Sequence, residues 1–268
     1  MLMVTATVRA PNASDWALSR GVNALTTTEL ADVLGVPPGQ VRQRLQAPTR
    51  RGEWTSPARG LWLPVPPEYR TWGAPPGLDV VDRLADHLGI DYYIGWLSAA
   101  ELHGVAHHAP QVFQVAVSRQ IRGRQVGRTR FEFHHRAAVG SLPVVEHPTR
   151  SGVARVSTLT VTALDVATDA TVAGGIDNAA TVLVELSEQP GFDPEEVAAL
   201  AGRYPTSTLR RLGWILERFA DRADLDAVRA AAVAGPATPA RVDPAGDLVG
   251  PIDHRWNVRI NRDVEVDL

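Results

Sequence analysis

Residues 26–46 carry a succession of local constraints that leaves the chain few conformations there. Thr26 and Glu29 have the spacing of a capping box, in which each side chain satisfies a free backbone N–H at the start of a helix. Leu30, Val33 and Leu34 then recur at helical spacing and define an inward face. Gly35 ends that helix, because the left-handed conformation that closes a helix suits glycine. Val36 plugs the turn, and Pro37-Pro38 open a second helix, proline being well tolerated in a first turn. On this second helix Val41 and Leu45 are four residues apart and point back at the first. The pattern predicts a helix-turn-helix.

The outward face of the second helix has a distinct chemistry. At 100° per residue, Gln40, Gln43 and Gln46 fall on one stripe, with Arg42 and Arg44 on its two flanks. A glutamine amide can make two hydrogen bonds to the N7 and N6 edge of adenine, while flanking arginines reach phosphates. RRGEWTSPARGLWLPV follows as two short strands around a Ser-Pro-Ala-Arg-Gly turn. It has the form of a wing, with Arg50, Arg51 and Arg59 available for backbone contacts. A helical hairpin used for protein contacts is the competing reading. The ordered succession of capping box, turn, Gln/Arg face and basic wing favours DNA.

PVPPEYRTWGAPPG, residues 64–77, cannot form a regular helix or a central strand. The sequence therefore divides into a winged helix-turn-helix domain over 1–68, a proline-rich linker over 69–77 and a larger domain over 78–268. In the larger part, LDVVDRLADHLG reads as an amphipathic helix and DYYIGWLSAAELHG as a more buried one. VFQVAVS and RFEFHHR alternate as half-buried strands, with RQIRGRQVGRT between them as an exposed basic loop. From about residue 157 the pattern is helical, the Ala/Pro-rich stretch at 230–245 reads as a loop, and WNVRINRDVEVDL at the end is strand-like. The expected fold class is α+β: a small winged helix domain, then a mixed α+β domain with a helical C-terminal part.

The formal net charge is −3, yet two regions are locally basic. One is the winged segment. The other comprises Arg119, Arg122, Arg124, Arg128 and Arg130, to which the late helix adds Arg210 and Arg211, read as an exposed pair. Every one of the 27 basic residues is arginine. A GC-rich coding bias accounts for that, so abundance alone is no sign of phosphate affinity. With no cysteine, disulfides, Cys-based zinc sites and thiol catalysis are excluded, and a reducing cytoplasm is the expected setting. No apolar run approaches the roughly 20 residues of a membrane span, and the N-terminus lacks the pattern of a secretory signal.

His103, His107 and His108 cluster, and His134-His135 lie on a strand candidate. Gly104 interrupts the helix that would align His103 with His107, and no glutamate stands where an HExxH base would. GxSxG, Walker A and GxGxxG motifs are absent, and Gly140-Ser141 lacks the Asp-x-Asp that a nucleotidyltransferase places after such a pair. The reading is a non-enzyme with no catalytic residue, metal or cofactor.

Three further segments carry a resemblance: Tyr93 to Gly104 (YYIGWLSAAELHG), Thr158 to Asp165 (TLTVTALD) and Leu212-Gly213-x-x-Leu216-Glu217. In this order after a winged segment, they make residues 15–268 resemble the AbiEi-type antitoxins of abortive-infection toxin–antitoxin pairs. The resemblance implies a repressor of its own operon that binds inverted repeats in double-stranded DNA. It also implies a larger domain that counteracts a nucleotidyltransferase-like toxin, without requiring a stable complex. The alternative is a one-component regulator whose larger domain senses a small ligand. If the glutamine stripe reads bases, Gln43→Ala relaxes sequence preference in a selection from random duplexes, and Arg51→Ala weakens binding to every sequence.

Overall fold

The computed structural model describes residues 7–105, 112–150 and 152–267. The chain opens with α1 (Ala13–Leu18), β1 (Leu25–Thr26), α2 (Thr27–Leu34), α3 (Val41–Arg44) and α4 (Gln46–Arg50). Strands β2 (Trp54–Ala58) and β3 (Leu61–Pro64) pair antiparallel, and β1 joins them in a three-stranded sheet of order β1-β3-β2. Next come α5 (Gly77–Leu88), β4 (Tyr92–Ile94), α6 (Trp96–Leu102), β5 (Phe113–Val117), β6 (Arg124–Val126), β7 (Thr129–His135), β8 (Val144–Thr149) and β9 (Gly152–Ser157). Strands β4 to β9 form a six-stranded sheet of order β6-β7-β5-β4-β9-β8. Helices α7 (Leu159–Thr168), α8 (Ile176–Glu188), α9 (Pro194–Ala199), α10 (Thr206–Phe219) and α11 (Asp226–Val233) follow. Two-residue strands β10 (Ala240–Arg241), β11 (Ile252–Asp253) and β12 (Val258–Arg259) close the fold. It is α+β, and its N-terminal region fits a small winged domain.

The chain forms two compact units. The first holds Met1–Tyr92, Gln111–Val139 and Glu146–Arg155; the second holds Tyr93–Pro110, Gly140–Val145 and Val156–Leu268. The division thus falls elsewhere than at the proline-rich stretch. Residues 67–72 are a 3-10 helix, and Ala74 is buried. Gly127 lies so close to the Trp72 carbonyl and Ala74 that a side chain there would collide with them. A segment that packs this tightly against the β6–β7 turn is part of a core rather than a spacer.

In the first unit the local signals are realised. The Thr26 hydroxyl accepts from the Glu29 N–H at 3.2 Å, and the Glu29 carboxylate accepts from the Thr26 N–H at 2.7 Å. Gly35 has φ +62°, the left-handed conformation that ends α2. Leu30, Val33, Val41 and Leu45 pack with Trp54 and Trp62 in one apolar core. The second helix departs from expectation. Residues 38–40 are a 3-10 turn, α3 has four residues, and the chain re-enters a helix at Gln46 after Leu45 at φ −88°, ψ −1°. Pro48 accounts for the break: it has no N–H to give Arg44, and its ring crowds that carbonyl.

The second unit is built around α7, every residue of which from Thr160 to Ala167 is buried. Its Asp165 is fully enclosed, accepting from the Tyr93 hydroxyl at 2.9 Å and from the Tyr204 hydroxyl at 3.2 Å. Residues 92–94 form a strand where the sequence pattern suggested helix, since Ile94 pairs with Val156 and aromatic side chains suit a sheet. Residues 124–126 are likewise a strand, pairing antiparallel with β7, inside what read as a loop. Conversely α11 runs into the Ala/Pro-rich stretch, and the strand-like C-terminal pattern yields only the two residues of β12.

Gly213 in α10 lies under the ring of Trp256, where an added Cβ would overlap the indole. The Trp256 N–H is given to Glu217 at 2.7 Å, and Arg255 pairs with the same carboxylate at 2.7 Å. Replacing a helical glycine normally stabilises, but here overpacking dominates. Gly213→Ala is expected to cost about 2 kcal/mol net, read as a lowered urea midpoint. Gly202→Ala, with open space around it, serves as the near-neutral control.

Candidate nucleic-acid interface

Helix α4 and the β2–β3 hairpin enclose a groove of about 930 Å³ lined by Thr27, Pro38, Arg42, Gln46, Thr49, Arg50, Ser56, Arg59, Gly60 and Trp62. Its apolar floor is fixed by a hydrogen bond from the Trp62 indole N–H to the Thr27 hydroxyl at 3.0 Å. The Ser56 hydroxyl turns inward, donating to the carbonyls of Leu61 at 2.8 Å and Ala58 at 2.9 Å, which braces the hairpin. His87 holds the Arg59 carbonyl at 3.0 Å, steadying the hairpin tip.

Of the residues singled out from sequence, the groove brings together Arg42, Gln46, Arg50 and Arg59. Gln40, Gln43 and Arg44 are exposed but outside its lining. The three glutamines lie on a 3-10 turn, on α3 and on α4 rather than on one regular helix. Arg51 is engaged elsewhere, paired with Glu53 through Nε at 2.7 Å and a second nitrogen at 2.9 Å. The same hydrogen bond holds the Glu53 carboxyl below its usual range and raises the Arg51 guanidinium. Thr49 and Trp62 line the groove and were not singled out from sequence; the visible signal was Pro48, which turns Thr49 with its neighbours.

The second basic region divides. Arg119 donates to the Leu88 carbonyl at the end of α5, and Arg130 pairs with Glu132 at 3.0 Å. Arg124 donates to the Pro57 carbonyl at 3.0 Å and lies over the Phe133 ring at 5.7 Å, and burial lowers its pKa. Arg122 and Arg128 are exposed.

Arg210 and Arg211 correct the sequence reading outright. Both are buried, at 3% and 4% exposure. Arg210 donates to the carbonyls of Ala232, Pro236 and Thr238, and Arg211 to those of Ala167, Arg241 and Val242. Burial pushes the Arg211 pKa down to about 10. These guanidiniums tie the C-terminal segment to α10 by saturating carbonyls that would otherwise lack donors. They form no surface.

His103 binds the Ser157 carbonyl at 2.7 Å, a structural role, while His107 and His108 lie outside the described residues. Among the described residues no group of three or more His, Asp or Glu side chains could hold a metal ion. Nor is any described helix long and apolar enough to cross a membrane.

Residues 93–218 match the family model described as the AbiEi antitoxin C-terminal domain. That region of the chain is an AbiEi-type antitoxin domain, which supports an antitoxin role in a toxin–antitoxin system. The match contains the buried Tyr93–Asp165–Tyr204 cluster and all three segments singled out above. No curated protein matches the chain. The crystal structure of the RV2827C protein from Mycobacterium tuberculosis is similar, with a TM-score of 0.67 at 16% identity, covering 93% of this chain and 90% of that one. At that identity the likeness concerns the fold alone.

Because Arg51 is already paired with Glu53 and Arg50 lines the groove, the two neighbours should differ. Arg50→Ala is expected to weaken DNA binding several-fold more than Arg51→Ala in titrations at the same salt concentration, roughly a tenfold against a twofold loss.

Proposed function

We propose that this antitoxin is also an autoregulator: its N-terminal winged segment binds inverted repeats in double-stranded DNA upstream of its own gene and represses it. The observation that carries the reading is the arginine-lined groove between α4 and the β2–β3 hairpin, beside the exposed Gln40 and Gln43. Phosphate contacts supply affinity and register, and side chains that reach base edges supply sequence preference. The antitoxin domain over 93–218 supports the second half of the proposal, that the chain counteracts a nucleotidyltransferase-like toxin encoded beside it. The small C-terminal strands, tied down by Arg210, Arg211 and Trp256, complete the unit around that domain. The protein is proposed to act in the cytoplasm and without enzymatic activity of its own.

The test uses the full chain, because its first unit draws on residues up to Arg155 and a cut at residue 77 would divide it. Expression of the gene immediately downstream should arrest growth, and co-expression of the full chain should restore it. A reporter carrying the upstream DNA should be repressed by the full chain and released by an Arg42→Ala/Arg50→Ala variant that still restores growth. A harmless neighbour, or a reporter indifferent to the protein, would contradict the corresponding half.

A further inference from the structure

The outward side chains of residues 40–50 fall into two sets. Arg42, Gln46, Thr49 and Arg50, spaced i, i+4, i+7 and i+8, share one face and meet Arg59 of the hairpin in one groove. Gln40 and Gln43 stay exposed and outside that groove. The groove has three guanidiniums and no carboxylate in its lining. Arg42, Arg50 and Arg59 form no ion pair among the described residues, in contrast to Arg51 with Glu53 and Arg130 with Glu132. Three like charges around one concavity repel one another until an anion enters.

The available donors narrow the anion further. The Ser56 hydroxyl is spent on two carbonyls, and the Trp62 N–H on Thr27. What remains is three forked guanidiniums, the Thr27 and Thr49 hydroxyls and the Gln46 amide, arranged along a groove open to solvent. A single compact anion would leave part of this set unused; a chain of phosphates would use it.

We infer that the groove between α4 and the hairpin is a track for one phosphodiester strand of duplex DNA, with Gln46 a member of the track. Gln40 and Gln43, outside the groove, face the bases. The inference rests on the proposal that the winged segment binds DNA, and takes Gln46 out of the base-reading stripe in which its spacing from Gln43 would place it. Arg42, Arg50 and Arg59 hold phosphates, Thr49 and Gln46 add neutral donors to them, and sequence preference comes from Gln40 and Gln43 alone.

The experiment measures binding of the full chain to two labelled duplexes, its own upstream DNA and a scrambled version, between 50 and 300 mM salt. Arg42→Ala, Arg50→Ala and Arg59→Ala should each flatten the salt slope by about 0.9 and weaken both duplexes alike. Gln46→Ala should weaken both by about threefold and leave their ratio unchanged. Gln43→Ala should reduce the ratio by about tenfold or more. Arg→Gln versions of the three arginines, with matched thermal unfolding, separate loss of charge from loss of fold.

If Gln46→Ala lowers the ratio as Gln43→Ala does, Gln46 reads bases and the division is overturned. If the wild type binds but the arginine variants keep its salt slope, the groove is not a phosphate track, and DNA binding itself stands. If the wild type binds neither duplex, the DNA reading fails and this inference with it.

Discussion

A carboxylate sealed from water must be satisfied by the protein around it, and Asp165 sets that requirement at the centre of the antitoxin domain. Its two oxygens are met by tyrosine hydroxyls 72 residues before it and 39 residues after it. Left without them, the buried oxygens would cost several kcal/mol, on the order of 3 or more. The cluster therefore specifies how β4, α7 and the segment before α10 come together: any packing that separates them leaves a polar group stranded. Gly95 belongs to the same arrangement, since a side chain there would press on both the Tyr93 ring and the Asp165 carboxylate.

The same logic extends to the end of the chain. The described residues 234–267 contain three two-residue strands as their regular structure. They are held by side chains of α10: Arg210 and Arg211 saturate six carbonyls, Gly213 makes room for Trp256, and Glu217 receives its indole N–H. About two turns of one helix thus provide two hydrogen-bond clamps and one packing socket. The cost of burying two guanidiniums is offset because each finds several carbonyl acceptors at once.

In the winged segment a single residue has the corresponding influence. Pro48 is buried against the core and still breaks the helix that bears it. Val41 and Leu45 keep their inward direction through the break, so the core is preserved. Arg42, Gln46, Thr49 and Arg50 line a groove with the hairpin, and Gln40 and Gln43 stay exposed outside it.

Much of this was legible in the chain itself. The capping box, Gly35 and the inward spacing of Val41 and Leu45 are local, and local hydrogen bonds and left-handed turns are set by neighbours a few residues away. The β2–β3 hairpin was legible for the same reason, as was the order of the antitoxin segments. What the sequence did not disclose is which distant groups converge. Arg210 and Arg211 read as exposed because helical spacing shows direction but not what lies opposite; six carbonyls, one from α7 and five from residues 232–242, turn that face into an interior. The proline-rich stretch read as a linker because proline forbids helix and strand, yet glycines at 73, 77 and 127 let it pack closely. Backbone grammar is written within a few residues and the sequence alone decides it. Burial, pairing and the membership of a groove depend on partners brought together from far apart, and only the tertiary structure decides those.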